Sequence, residues 1–98
     1  MSSLRDYELV TIVRPDIADE NVGAVAERIG QWITSQGGEV TKTDVWGRRR
    51  MAYPIRDFRE GNYIISQIRL ETRATGEVER SLKLSEDVLR YLLVRVGE

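Results

Sequence analysis

The sequence predicts an α+β fold in which two helices cover one face of a four-stranded antiparallel sheet. Three observations support this prediction: four segments have strand composition, two have apolar residues at helical spacing, and turn residues separate them. The order along the chain is β-α-β-β-α-β, which is the split βαβ order of ferredoxin-like sandwiches. Because the chain has 98 residues and neither repeats nor linkers, we expect residues 1–98 to form a single domain.

The first strand and the first helix are predicted from the N-terminal third of the chain. Residues 7–13 (YELVTIV) form a strand that ends before Pro15, since proline cannot continue a ladder. Asp19 is expected to cap the next helix, and Gly37-Gly38 to end it. The apolar residues at helical spacing are Val22, Val25, Ala26, Ile29, Trp32 and Ile33.

Two long strands joined by a hairpin follow. Glu39–Ile55 is the second strand, with a bulge or bend expected at Gly47, and residues 56–62 carry the turn chemistry. The third strand alternates between two faces. Its residues directed toward the helices are Ile64, Ser66, Ile68 and Leu70, and those directed outward are Tyr63, Ile65, Gln67 and Arg69.

A shorter helix and a last strand complete the predicted fold. The helix covers residues 74–84, with Val78 and Leu82 as its apolar contacts, and the strand covers residues 88–96 after a turn. In the first strand, alternation directs Tyr7, Leu9, Thr11 and Val13 toward the helices and leaves Glu8, Val10, Ile12 and Arg14 on the open face. In the second strand, Met51, Tyr53 and Ile55 are expected in the core, so that Arg48 and Arg50 point outward.

The composition argues against several classes of function. The chain has no histidine and no cysteine, so it lacks the commonest general base, the commonest metal ligand and any disulfide. It has no glycine-rich phosphate loop, and capping or helix-dipole roles explain the adjacent carboxylates Asp19-Glu20 and Glu86-Asp87. No apolar run approaches ~20 residues, and MSSLRDYE is not a secretory signal. We therefore expect a cytoplasmic protein that is not an enzyme and has no cofactor, metal ion, membrane or small-molecule substrate.

Charge is unevenly distributed along a chain whose net charge is −1. Residues 46–59 hold five arginines and one acidic residue, whereas residues 16–39 hold five acidic residues and one arginine. Arginines 48–50 on an edge strand could protect that edge from pairing with another chain. Together with Trp46, Phe58 and Tyr63, however, the cluster better fits phosphate contacts and stacking. Trp46 could equally be a packing residue at the sheet margin.

The same element order occurs in RNA-recognition motifs, which stack bases on aromatic residues of their two central strands. Here the third strand offers only Tyr63 for that purpose. The pattern therefore favours binding of a folded RNA through its backbone and shape over reading of single-stranded bases.

Three segments, WGRRRMAYPI, RDYELVTIVRPD and LSEDVLRYLLVR, resemble in order and spacing protein six of the bacterial small ribosomal subunit (the ribosomal protein S-six family). The resemblance implies a non-catalytic protein that binds the central domain of small-subunit ribosomal RNA together with ribosomal protein eighteen of the same subunit. It makes Arg48, Arg49, Arg50, Tyr53 and Arg90 candidates for RNA or partner contact, and the predicted open face adds Trp46, Tyr63 and Arg69.

The chain departs from this family at two points. Members can carry extra basic residues before the first tyrosine, where this chain has Asp6 after Arg5, which weakens the case for an N-terminal RNA contact. The chain stops at Glu98 without the extension that many members carry, so contacts made by such a tail are not assumed for it. The alternative function is a ferredoxin-like regulatory module that binds a small ligand or self-associates through Val10, Ile12 and Ile65.

Overall fold

The computed structural model describes residues 3–97 and has the predicted order of elements. Met1, Ser2 and Glu98 lie outside that range, and the expectations about the chain ends rest partly on them. The strands are β1 (Leu4–Val13), β2 (Glu39–Ile55), β3 (Phe58–Glu71) and β4 (Val88–Arg95), and the helices are α1 (Asp19–Ser35) and α2 (Thr75–Leu84), the latter after a 3-10 turn at Thr72–Ala74. The antiparallel sheet has the order β2-β3-β1-β4, which leaves β2 and β4 at its edges.

The main core lies between the two helices and one face of the sheet. The alternation predicted for β1 and β3 is confirmed, because Tyr7, Leu9, Ile64 and Ile68 are buried there. The helices contribute Val22, Val25, Ile29, Ile33, Val78 and Leu82, all of which were predicted from helical spacing. Two helices on one face leave the other face of the sheet open, which is the arrangement that the sequence predicted.

The N-terminal end of α1 differs from the prediction, and its C-terminal end agrees with it. Its N-cap is Ala18, without a side-chain capping hydrogen bond, so the prediction that Asp19 caps the helix is wrong. Asp19 is instead the first helical residue, where its carboxylate complements the helix dipole. The predicted end is confirmed: Gly37 has φ +81°, and the N–H groups of Gly37 and Gly38 bond to the carbonyls of Thr34 and Ile33 as in a Schellman motif.

The hairpin between β2 and β3 is tighter than predicted. Its turn consists of Arg56 and Asp57 alone, with φ angles of +52° and +68°, and β3 begins at Phe58. Positive φ at both central residues is the signature of a type I′ turn, whose twist matches that of the flanking strands. Because this turn needs only two residues, pairing continues through most of the segment that the sequence assigned to the turn.

The arginines of β2 lie on the faces opposite to those predicted. The register with β3 shifts between Val45 and Gly47, and Gly47 has φ +84°, so the bulge expected at Gly47 is confirmed. A second one-residue shift lies between Val40 and Lys42, and the two shifts together restore the alternation that starts at Val40. Arg48 then lies opposite Asn62 and Arg50 opposite Glu60, on the face of β3 that carries Ile64. Met51 therefore lies on the open face, and Arg48 and Arg50 lie on the helix side.

The prediction that Met51, Tyr53 and Ile55 join the main core is also wrong, and the register shifts again between Arg50 and Ile55. Met51 is buried, but in a second cluster with Ile12 and Leu89, against which Ile55 is partly buried. The side chain of Tyr53 is 63% exposed.

Candidate nucleic-acid interface

Arg48 ties the base of the β2–β3 hairpin to the start of α1. Its Nη2 donates a hydrogen bond to the carbonyl oxygen of Pro15 at 3.1 Å and lies 3.7 Å from a carboxylate oxygen of Asp19. Both partners lie on the helix side of the sheet, in agreement with the pairing of Arg48 opposite Asn62. The guanidinium of Arg48 therefore already contributes to the fold, in addition to any contact it makes with a ligand.

Arg50 and Arg59 are hairpin arginines without an ion pair. Among residues 3–97 neither is paired with a carboxylate, and both side chains line an open groove of about 320 Å³ whose other lining residues are Pro15, Asp57, Phe58 and Glu60. Arg50 lies opposite Glu60 in the register, but no ion pair joins them. A guanidinium without a partner can bind a phosphate without breaking an existing ion pair.

Trp46 and Arg49 form a pair on the surface at the bulge. The guanidinium carbon of Arg49 lies 5.3 Å from the centre of the Trp46 ring, which is a cation–π distance. Trp46 is 53% exposed and belongs to neither core cluster. The interpretation of Trp46 as a packing residue at the sheet margin is therefore wrong, because the residue is exposed and joins neither core cluster.

An apolar groove on the open face brings together three of the predicted site residues, Tyr53, Tyr63 and Arg90. The groove has a volume of about 150 Å³ and has Ile12 and Met51 among its other lining residues. A neighbouring groove of about 130 Å³ shares Ile12 and Arg90 and is also lined by Val10, Tyr91 and Leu92. The result is a continuous, mostly aliphatic and aromatic surface with one unpaired arginine.

Arg69 lies apart from the other predicted site residues. Its guanidinium forms ion pairs with Asp6 at 3.4 Å and Glu39 at 3.5 Å, across three neighbouring strands. It lies six positions after Tyr63 in β3, a distance of about 20 Å at ~3.4 Å per residue. Its assignment as an RNA contact stays a prediction, and its ion pairs give it a structural role.

Two further polar contacts support the elements that carry these surfaces. Arg14 donates a 2.7 Å hydrogen bond to Asp16, which raises the pKa of Arg14 and lowers that of Asp16, and its guanidinium also lies 5.9 Å from the ring of Phe58. The hydroxyl of Tyr91 donates a 2.8 Å hydrogen bond to Glu79 and so links β4 to α2. Burial, and then that hydrogen bond, raises the pKa of Tyr91.

Residues 59 and 92 complete these surfaces but were not among the predicted site residues. Arg59 fell within the segment assigned to the turn, although it was counted in the arginine cluster. Leu92, which is 51% exposed, follows Arg90 at a spacing of two in a strand, so alternation alone could have placed both on one face.

The described part of the chain has no helix that is long and apolar enough to cross a bilayer. Nor does the same part contain a group of three or more acidic side chains suited to a metal ion.

Comparisons with known proteins agree over nearly the whole chain. A family model described as ribosomal protein S6 matches residues 6–95. The chain is 46% identical over 95 residues to the small ribosomal subunit protein bS6 of Moorella thermoacetica, covering 97% of both chains. It is 38% identical to the bS6 protein of Desulforamulus reducens, covering 97% of this chain and all of that one. The crystal structure of 30S ribosomal protein S6 from Thermotoga maritima superposes with a TM-score of 0.87 at 26% identity, covering 95% of this chain and 88% of that one.

Proposed function

The chain belongs to the ribosomal protein S6 family, and from that premise we propose that it binds the central domain of small-subunit ribosomal RNA together with ribosomal protein eighteen of that subunit. Membership makes the chain a structural component of the small ribosomal subunit in the cytoplasm, and not an enzyme. The RNA contact is assigned to the β2–β3 hairpin, and the protein contact to the apolar groove of the open face.

The assignment of the RNA contact rests on which hairpin arginines lack a carboxylate partner. Arg50 and Arg59 have no carboxylate partner, whereas arginines such as Arg14, Arg28 and Arg73 are paired with one. Arginine binds phosphate bidentately, and a guanidinium already held by a carboxylate loses that interaction when it does so. The unpaired arginines of the hairpin are therefore the ones best suited to phosphates.

The alternation of the arginines along β2 supports contact with a folded RNA. Arg48 and Arg50 lie on the helix side of this edge strand, and Arg49 lies on the open face. Because β2 has a neighbour on one side only, arginines on both of its faces can reach phosphates on either side of the strand. Such an arrangement follows the shape of a backbone and reads no base sequence.

The groove on the open face suits a protein partner. Its exposed members Tyr53 and Leu92 and its buried floor, Ile12 and Met51, form an apolar surface of the kind that marks interaction sites. The net charge of −1 leaves little general attraction to RNA, so the local field of the hairpin must act with that of a second protein. A basic partner seated on this groove supplies that charge.

The proposal is tested by titrating the protein into a labelled central-domain fragment of small-subunit ribosomal RNA, with and without ribosomal protein eighteen, across a salt series. We expect tight, salt-sensitive binding that requires the partner. Absence of binding under both conditions would contradict the proposal. If a small ligand then raised the melting temperature, the alternative function as a ligand-binding module would be favoured.

A further inference from the structure

The indole of Trp46 is a large apolar group that the fold does not use. Trp46 is 53% exposed and belongs to neither the main core nor the cluster around Ile12. It is the extra residue of the β2 bulge, between Val45, which pairs with Ile64, and Gly47, which pairs with Tyr63. The bulge therefore places the indole at the edge of the sheet, on a residue that is not paired with β3.

One guanidinium lies directly on the indole. The guanidinium carbon of Arg49 is 5.3 Å from the centre of the ring, whereas Arg48 and Arg50 lie on the other face of the strand. An exposed aromatic ring beside an arginine suits a single nucleotide, because the base stacks on the ring while the phosphate meets the guanidinium. An apolar protein partner would instead require the guanidinium of Arg49 to be desolvated, which is unfavourable without an acidic group.

We infer that Trp46 and Arg49 form a stacking platform for one unpaired nucleobase of the bound RNA. This inference rests on the proposed RNA-binding function and adds the ligand class of one site within it. The cation–π contact with Arg49 orients the indole before binding, so little side-chain freedom is lost when the base stacks. The phosphate next to that base lies within the field of Arg49 and its neighbours, and the other hairpin arginines contact the backbone alone.

The test uses the assembled complex of this protein, ribosomal protein eighteen and the central-domain RNA fragment. Trp46→Ala is expected to weaken RNA binding by about 5- to 150-fold, the range found for loss of one base–aromatic stack, with an unchanged salt slope. Trp46→Phe retains a π face and should recover much of the affinity. The matched control is Val45→Ala, which truncates the adjacent exposed side chain and should change affinity less than about twofold.

A spectroscopic readout separates stacking from a structural effect. The chain has two tryptophans, so Trp32→Phe leaves Trp46 as the only one, and stacking of a base should quench its fluorescence when RNA is added. Wild-type affinity for Trp46→Ala would overturn the inference and leave the proposed function intact. A loss confined to binding of the partner protein without RNA would also overturn it, since Trp46 would then be a protein contact. Failure of the wild-type protein to bind RNA with the partner would refute both proposals.

Discussion

Gly61→Ala tests how closely β1 and β3 approach beneath the hairpin. A Cβ at Gly61 would overlap Cγ2 of Ile12 and lie 3.4 Å from the carbonyl oxygen of Val13. Ile12 is only 8% exposed and is packed in a cluster with Met51 and Leu89, so it cannot move aside freely. Overpacking of this kind costs about 1–3 kcal/mol, so we expect the free energy of unfolding to fall by about 2 kcal/mol. Urea denaturation followed by far-UV circular dichroism measures it.

Variants of Ile12 show whether the overlap is the cause. Ile12→Ala removes Cγ2, so adding Gly61→Ala to it should lower stability by much less than in the wild type, with a coupling energy of at least about 1 kcal/mol. Ile12→Val retains Cγ2 and is the matched control, in which Gly61→Ala should keep nearly its full effect. Equal losses in all three backgrounds would refute the reasoning.

Two further variants test other parts of the fold. Asp57 in the hairpin turn has φ +68°, a backbone conformation that is unfavourable for a residue with a Cβ. Asp57→Gly should therefore raise the free energy of unfolding, measured by urea denaturation, by about 0.5–1 kcal/mol. A fall would contradict the type I′ assignment. Tyr91→Phe removes the hydrogen bond to Glu79 and should lower stability by about 1 kcal/mol. Because the folded-state pKa of Tyr91 is raised, its contribution is present below pH ~10 and is lost as the pH rises through the folded-state value. The difference between wild type and Tyr91→Phe should therefore shrink in alkaline buffer, and a constant difference would argue against this hydrogen bond.

Most of the fold follows from local patterns in the sequence. Helical spacing identified the buried face of α1, including Val22 and Ile33, and alternation identified the buried face of β3, including Ile64 and Ile68. Both patterns arise because each element buries one face, so the spacing of apolar residues in the sequence is enough to identify that face. The exact ends of elements did not follow, because Asp19 suits the first helical turn as well as the cap.

The faces of β2 could not be predicted from local patterns. The bulge between Val45 and Gly47 is a property of the pairing with Tyr63, which lies in another strand. Glycine at position 47 predicted one bulge, but the second shift, between Val40 and Lys42, has no such signal, and only the pairing shows which residues lie on each face. The sequence therefore found the residues of the arginine cluster and assigned Arg48 and Arg50 to the wrong face.

The partners of the arginines also depend on the tertiary structure. Arg48 contacts Pro15 and Asp19, which lie about thirty positions earlier in the chain, and Arg69 joins Asp6 to Glu39. In the sequence these arginines resemble Arg50 and Arg59, since charge density alone does not show which guanidinium is already paired. The structure thus narrows the RNA-binding prediction to the arginines without carboxylate partners.

The salt dependence of RNA binding by Arg50→Gln/Arg59→Gln shows whether these two arginines contact RNA phosphates. The assay is the titration of the central-domain fragment in the presence of ribosomal protein eighteen, with Arg80→Gln, an unpaired arginine on α2, as the matched control. Each phosphate contact adds about 0.7 to 0.9 to the slope of log affinity against log salt, so the double variant should lose about 1.4 to 1.8 units and the control none. An unchanged slope in the double variant would contradict the assignment of these arginines to RNA phosphates.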